Sequence, residues 1–276
     1  MTTWRALLAE AASSDGLDDI DARRIVERAS GWEASDLARH LDDAPTARAV
    51  AHFDAMVARR ATGEPLQYVV GAWGFRTLDL HVDARVLIPR PETESVVQAA
   101  IDAVGARRPL TAVDLGTGSG AIALSLAVEL GAEVWATDES ADALAVARAN
   151  VAGRGVTTLR LCEGDWYGAL PSDLRGRVDL IVSNPPYVAA GDELPAVVRD
   201  WEPVDALVAG PTGLEDIERI VRDAPAWLAR RGVLVVELAP HQADAVAQLA
   251  RDAGFHTVDV RPDLAGRPRA LVARVG

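Results

Sequence analysis

The chain has 276 residues, 49% hydrophobic and 25% charged, with a formal net charge of −13. That is globular composition with room for a catalytic domain and a smaller companion, and its acidity disfavours unspecific binding to nucleic-acid phosphates. All 28 basic residues are Arg, which excludes a lysine Schiff base and a P-loop lysine; the missing Lys reads as codon bias of a GC-rich genome rather than as function.

The opening "MTTWRALLAEAASSDGL" lacks a basic stretch followed by a long apolar core, so no signal peptide is expected. Residues 1–74 read as a small helical domain. Trp4, Leu7 and Leu8 share a helical face, as do Ile20, Ile25 and Val26, and then Ala49, Phe53, Met56 and Val57. Gly63 and Pro65 break that pattern. Residues 75–90 read as a connecting β-hairpin: Leu78, Leu80 and Val82 alternate with Asp79 and His81, and Val86, Leu87 and Ile88 follow a polar turn at 83–85.

From residue 91 onward the pattern is that of a second domain, 91–276. A helix is expected over about 91–104. Strands are expected at 111–116, 133–138, 157–165, 178–184, 232–239, 257–263 and 269–275, with helices between the first of them and again near 214–230 and 241–253. Such alternation implies an α/β fold with a doubly wound, mostly parallel seven-stranded sheet. The last two strands are too close for a parallel crossover of about a dozen residues and are expected to form an antiparallel hairpin. Residues 115–128 are too short and glycine-rich to span a bilayer. The single cysteine, Cys162, permits no intramolecular disulfide, which fits a reducing cytoplasm. The five histidines are scattered without metal-ligand spacing, and no metal is expected.

"VDLGTGSGAIALSLA" (113–127) is strand, glycine turn, helix. Gly116, Gly118 and Gly120, with Thr117 and Ser119 between them, let a ligand approach the backbone. Gly116, Gly118 and Ala121 also match a dinucleotide pattern, which alone is weak. Asp114 would repel a pyrophosphate but suits a ligand carrying an ammonium group. Asp138, at the end of the second strand, is where a carboxylate accepts ribose hydroxyls. Asp165 can accept from an exocyclic amine, and Trp166 offers a flat face to an adenine. Singly, these carboxylates read as helix caps and the tryptophan as core; with the glycines they read as a cofactor site.

The fourth strand, "VDLIVS", runs into "NPPY" (184–187). Two prolines end the ladder and leave carbonyls without partners. If the first and fourth strands are neighbours, the glycine turn and this corner face one crevice. There the Asn184 side-chain oxygen and the Pro185 carbonyl can hold both N–H bonds of a planar amide or aryl amine. They would aim its nitrogen at a methyl group and favour the charge that develops. Tyr187 can stack on the flat group, and Pro186 stiffens the corner.

The D-x-G-x-G-x-G turn resembles the first motif of class I methyltransferases, which use S-adenosylmethionine and release S-adenosylhomocysteine. The corner is shared by DNA adenine-N6 and cytosine-N4 methyltransferases and by protein glutamine methyltransferases. "EPLQYVVGAWGF", "VLIPRPETE", "DLGTGSGAIALSLA", "GDWYGAL", "SNPPYV", "EPVDALVAGPTGLEDI" and "DLAGRPRALVAR" together resemble the bacterial peptide-chain-release-factor glutamine N5-methyltransferases, from about residue 64 to the C-terminus. The resemblance implies methyl transfer to the glutamine of a Gly-Gly-Gln motif in class-one release factors. Asp114, Gly116, Thr117, Gly118, Ser119, Gly120, Asp138, Asp165, Trp166 and Asn184 would then bind the cofactor. Asn184, Pro185, Pro186 and Tyr187 would hold the glutamine, and the N-terminal helices would hold the factor. With the single cysteine and the acidity, a cytoplasmic enzyme that acts on neither DNA nor membrane is expected; the oligomeric state is open, with a monomer favoured. "RPETE" (90–94) would lie near the cofactor, with no role assigned to its residues. One departure is Ala239-Pro240, where the family has a glycine soon after the glutamate of the fifth strand. Two other readings are a DNA amino-methyltransferase, which the acidity opposes, and an NAD-dependent oxidoreductase, which leaves "NPPY" unexplained.

Overall fold

The computed structural model describes residues 2–14, 16–107 and 110–276. In chain order these form α1 (Trp4–Ala12), α2 (Asp19–Ser30), α3 (Ala34–His40), α4 (Ala47–Ala61), α5 (Leu66–Val70), β1 (Trp73–Phe75), β2 (Leu78–Leu80), α6 (Pro91–Val104), β3 (Thr111–Leu115), α7 (Ala121–Leu130), β4 (Glu133–Asp138), α8 (Ala141–Arg154), β5 (Leu159–Glu163), β6 (Val178–Ser183), β7 (Val188–Ala189), α9 (Ala196–Trp201), β8 (Val208–Gly210), α10 (Glu215–Asp223), β9 (Leu228–Glu237), α11 (Ala243–Asp252), β10 (Thr257–Pro262) and β11 (Pro268–Arg274), with short 3₁₀ turns between some of them. Among the described residues no helix is long and apolar enough to cross a membrane. The chain divides into two compact units, residues 1–72 with 195–201 and residues 73–194 with 202–276. Sequence patterning gave no sign that α9 would group with the first helices.

The helical unit is built on capped, amphipathic helices. Thr3, Asp18 and Thr46 each accept backbone N–H bonds at the start of α1, α2 and α4, satisfying donors that a helix leaves unpaired. Trp4, Leu7, Ile25, Val26, Leu37, Phe53 and Met56 form its core. Ile20 does not join them and is 67% exposed. At 100° per residue it lies about 140° around the helix from Ile25, five positions on.

The second unit carries a seven-stranded sheet in the order β10-β11-β9-β6-β3-β4-β5. β3 pairs in parallel with β4 and β6, β4 with β5 and β6 with β9, while β11 runs antiparallel to both β9 and β10. The apolar runs of β3, β6 and β9 are buried on both faces, as central parallel strands require. α7 buries almost its whole length, packing on β3, β4 and β5. β3 and β6 are neighbours with Leu115 opposite Ser183, and Ser183 lies opposite Val236 of β9. Gly116, Asn184 and Glu237 therefore stand side by side where three adjacent strands end. This is the topological switch point at which ligands bind in open α/β sheets.

The hairpin is displaced from its expected position. Its strands are β1 and β2, with Trp73 opposite Leu80 and Phe75 opposite Leu78 around a turn at Arg76 and Thr77. The alternation at Leu78 and Leu80 marks a true strand, but its partner lies upstream. Arg76 takes a left-handed φ of 51° in the turn, and its guanidinium reaches Glu129 at 2.6 Å. Residues 81–90 run as irregular chain, with Val82, Val86 and Ile88 buried. Asp83 makes the turn there by accepting from the Arg85 backbone and side chain. That guanidinium holds the Asp83 carboxyl at about 2, below the usual range.

Candidate active site

A cavity of about 520 Å³ opens at the carboxyl ends of β3, β4 and β6, within the roughly 300–1,000 Å³ of small-molecule sites. Gly116, Thr117, Gly118, Ser119, Asp138, Asp165, Trp166, Asn184 and Pro186 line it. So do Val86, Leu87 and Pro89 of the irregular strand-to-helix segment, and Thr93 in the first turn of α6. Pro185 and Tyr187 are not among the residues that line it.

Gly116, Gly118 and Gly120 all have positive φ, between 54° and 84°, so the turn is one that L side chains rarely adopt. A Cβ on Gly116 would also stand 3.0 Å from the Trp166 ring. Trp166 itself has a φ of 42°, and such strain in a non-glycine residue gathers at functional sites.

Three amides of this turn are already engaged. Thr117 N donates to Thr137 O at 2.9 Å, Gly120 N to Thr117 O at 2.8 Å and Gly118 N to Asp138 Oδ2 at 2.8 Å. A phosphate cradle needs such donors free, so these three are not available to a pyrophosphate. The observation weighs against the dinucleotide reading and fits a cofactor without phosphates. Asp138 also accepts from Ser140 N at 3.0 Å, and burial raises its carboxyl above the usual range. Asp165 lines the cavity while paired with Arg219 at 2.5 Å, with both side chains about half exposed.

Asp114 is placed differently from the expectation. It does not face the cavity but lies fully buried beneath the turn. Its Oδ2 accepts from Thr117 Oγ1 at 2.6 Å and from Ala123 N at 3.1 Å, leaving Oδ1 without a partner. A carboxylate there caps the start of α7 and favours its dipole, occupying the place of an incoming anion. Burial pushes Asp114 up to about 7, against the pull of its hydrogen bonds. A native pKa above the unfolded value means that the folded state holds the proton more tightly. Asp114 therefore stabilises the fold most at acid pH, and this contribution is lost as pH rises from about 4 to 7. In urea titrations across that range, Asp114→Asn should show a flatter fall of stability with pH than the parent. Parallel curves would place the titration elsewhere.

At the corner, Ser183 Oγ donates to Leu115 O at 2.7 Å, tying β6 to the end of β3. Asn184 Nδ2 donates to Thr93 Oγ1 at 3.3 Å, and Thr93 Oγ1 donates to Glu237 Oε2 at 2.7 Å. Gln242 Nε2 donates to the carbonyls of Tyr187 and Gly213, both at 3.0 Å. Glu202 is buried and accepts from Ile88 N at 3.1 Å and Arg90 Nη2 at 2.5 Å, which fixes the segment leading into α6. Burial and the neighbouring Glu237 raise the Tyr187 hydroxyl above its usual value. Sequence reasoning gave no role to Thr93, Glu202, Glu237 or Gln242. A glutamate closing the apolar run "VLVVE" was the one available signal, because such a residue is rarely buried without purpose.

The chain is similar to known proteins. Residues 1–71 match the PrmC N-terminal domain family and residues 98–201 the methyltransferase small domain family. A release factor glutamine methyltransferase of Burkholderia pseudomallei is 42% identical over 277 residues, covering 98% of this chain and 96% of the relative. One of Cereibacter sphaeroides is 43% identical over 270 residues, covering 94% and 93%. Among solved structures, a methyltransferase from Pyrococcus furiosus superposes with a TM-score of 0.56 at 18% identity, covering 73% of this chain and 90% of that one. That last likeness is one of fold.

Proposed function

The chain belongs to the release factor glutamine methyltransferases, and from that membership and the geometry of the Asn184 corner we propose the reaction it performs. It transfers the methyl group of S-adenosylmethionine to the side-chain amide nitrogen of the glutamine in the Gly-Gly-Gln motif of class-one peptide chain release factors. The observation that carries this reading is the commitment of Asn184 Nδ2 to Thr93. It leaves Asn184 Oδ1, beside the cavity and without a protein partner among the described residues, as an acceptor for an amide N–H.

The cavity suits the cofactor: the Thr117, Gly118 and Gly120 amides are already bonded within the protein, and the wall carries Asp138 for ribose hydroxyls and a tryptophan face beside Gly116. Gly116, Thr117, Gly118, Ser119, Asp138, Asp165 and Trp166 would hold it. When bound, S-adenosylmethionine supplies an electrophilic methyl on a sulfonium. Asn184 Oδ1 and the Pro185 carbonyl hold the two N–H bonds of the glutamine amide and fix its nitrogen in line with that methyl. Both acceptors stabilise positive charge as it grows on nitrogen; the methylated amide then gives up one N–H proton to solvent, and S-adenosylhomocysteine would be the leaving group. Tyr187 packs on the amide plane. The helical unit, with α9, docks the release factor, and an enzyme acting on such a factor works in the cytoplasm.

Purified protein, labelled S-adenosylmethionine and unmethylated release factor test the proposal, with a Gly-Gly-Ala factor and unmethylated DNA in parallel. Label on the intact factor alone is the expected result. Label on DNA would move the same corner to a base amine and overturn the substrate.

A further inference from the structure

Glu237 is a fully buried carboxylate that the reaction above does not use. Its Oε2 takes the Thr93 hydroxyl hydrogen, and its Oε1 has no hydrogen-bond partner. The counter-ion, Arg269, stands 3.9 Å from Oε1 and is itself shared with Asp263 at 3.7 Å. Arg90 and Glu92 at the head of α6 also act on Glu237, and Glu92 is paired with Arg267 at 3.0 Å.

The order of donors along this chain of groups decides which end of the Asn184 amide faces the cavity. An ionised carboxylate can only accept. The single hydrogen of Thr93 is thereby spent on Glu237, so the hydroxyl can only accept from its other neighbour. That neighbour must present an N–H, and in Asn184 it is Nδ2. The amide oxygen is turned the other way.

We infer that Thr93 and Glu237 are positioning residues that set the orientation of the Asn184 amide, so that oxygen rather than nitrogen meets the nucleophile. The inference rests on the proposed function for its catalytic meaning, but the orientation itself can be tested without turnover. With Glu237 protonated, its hydrogen can go to Thr93, the Thr93 hydrogen to Asn184, and the amide turns over. Burial holds Glu237 up to about 7, more strongly than Thr93 and Arg269 pull it down. The active orientation therefore belongs to the alkaline side, and kcat should fall as pH drops through that region.

Two measurements decide the matter. In the full-length protein, ¹⁵N-asparagine labelling follows the Asn184 side-chain NH₂ signal, identified by its loss in Asn184→Ala. It should be slow to exchange in the parent and in Thr93→Ser, and fast in Thr93→Val. In methyl transfer to the release factor, Thr93→Val should lower kcat roughly 10-fold or more, as loss of a polar tether would. Cofactor affinity and KM should stay near the parental values, and Thr93→Ser should restore turnover. Glu237→Gln should remove the acid limb of the kcat profile. An Asn184 signal equally protected in Thr93→Val overturns the inference, whatever the substrate. If the parent protein fails to label the factor while the exchange difference stands, the function fails and the orientation survives. A Glu237→Gln enzyme that keeps the acid limb removes Glu237 from the pair.

Discussion

Asn184→Ala should lower kcat about 10²- to 10³-fold, the loss seen when one preorganised polar group at a reacting centre is removed. Cofactor binding should change little, because the glycine turn, Asp138 and Trp166 are untouched. The reason is charge: on the proposed reaction the amide nitrogen is a poor nucleophile until its lone pair leaves conjugation, and it becomes positive as it takes the methyl. An acceptor fixed on its N–H bond strengthens along that path. The Ala variant leaves only the Pro185 carbonyl, and Thr93 loses its donor. Asn184→Asp is no rescue, since it removes the N–H given to Thr93 and sets a second carboxylate toward Glu237. Single-turnover rates at saturating cofactor, with cofactor affinity from calorimetry, separate the two effects. A variant that loses affinity and rate in equal measure would make Asn184 a cofactor ligand alone.

Gly213→Ala should cost roughly 2–5 kcal/mol in stability, from a left-handed backbone and a steric clash together, and most of the activity of the folded fraction. Gly213 has a φ of 76°, and its Cβ would stand 2.6 Å from the Tyr187 carbonyl oxygen and 3.2 Å from Gln242 Nε2. The carbonyl cannot retreat freely, since it accepts from Gln242 and follows two prolines. The strain therefore passes into the corner. Urea unfolding gives the first term and kcat per folded molecule the second. A Gly213→Ala protein with the parental midpoint and rate would mean that the loop gives way at no cost.

The readability of this chain was uneven for physical reasons. Strands buried on both faces show themselves as apolar runs, and the residues that end them, Gly116 and Asn184, are local signals. The order of β3 and β6 followed from the rules of doubly wound sheets. The hairpin was misplaced because alternation at Leu78 and Leu80 marks a strand but not its partner; Trp73-Gly74-Phe75 is too short to show a period. Asp114 was expected to meet a ligand because its position in the motif is local, whereas its direction depends on Thr117 and Ala123 closing over it. The Thr93–Glu237 contact joins residues 144 positions apart. No spacing reports it, and it exists only because the ends of β6 and β9 and the head of α6 converge.

The corner also counts hydrogens. On the proposed reaction Asn184 Oδ1 and the Pro185 carbonyl are the two acceptors, and a primary amide brings two N–H bonds to fill them. Once methylated, the glutamine has one N–H left and a methyl where the other hydrogen was. One acceptor would then face carbon, and the nitrogen could not re-enter the in-line pose. On the proposed reaction, the same pair of oxygens that selects an unmodified amide rejects its own product, and transfer ends after a single methyl group.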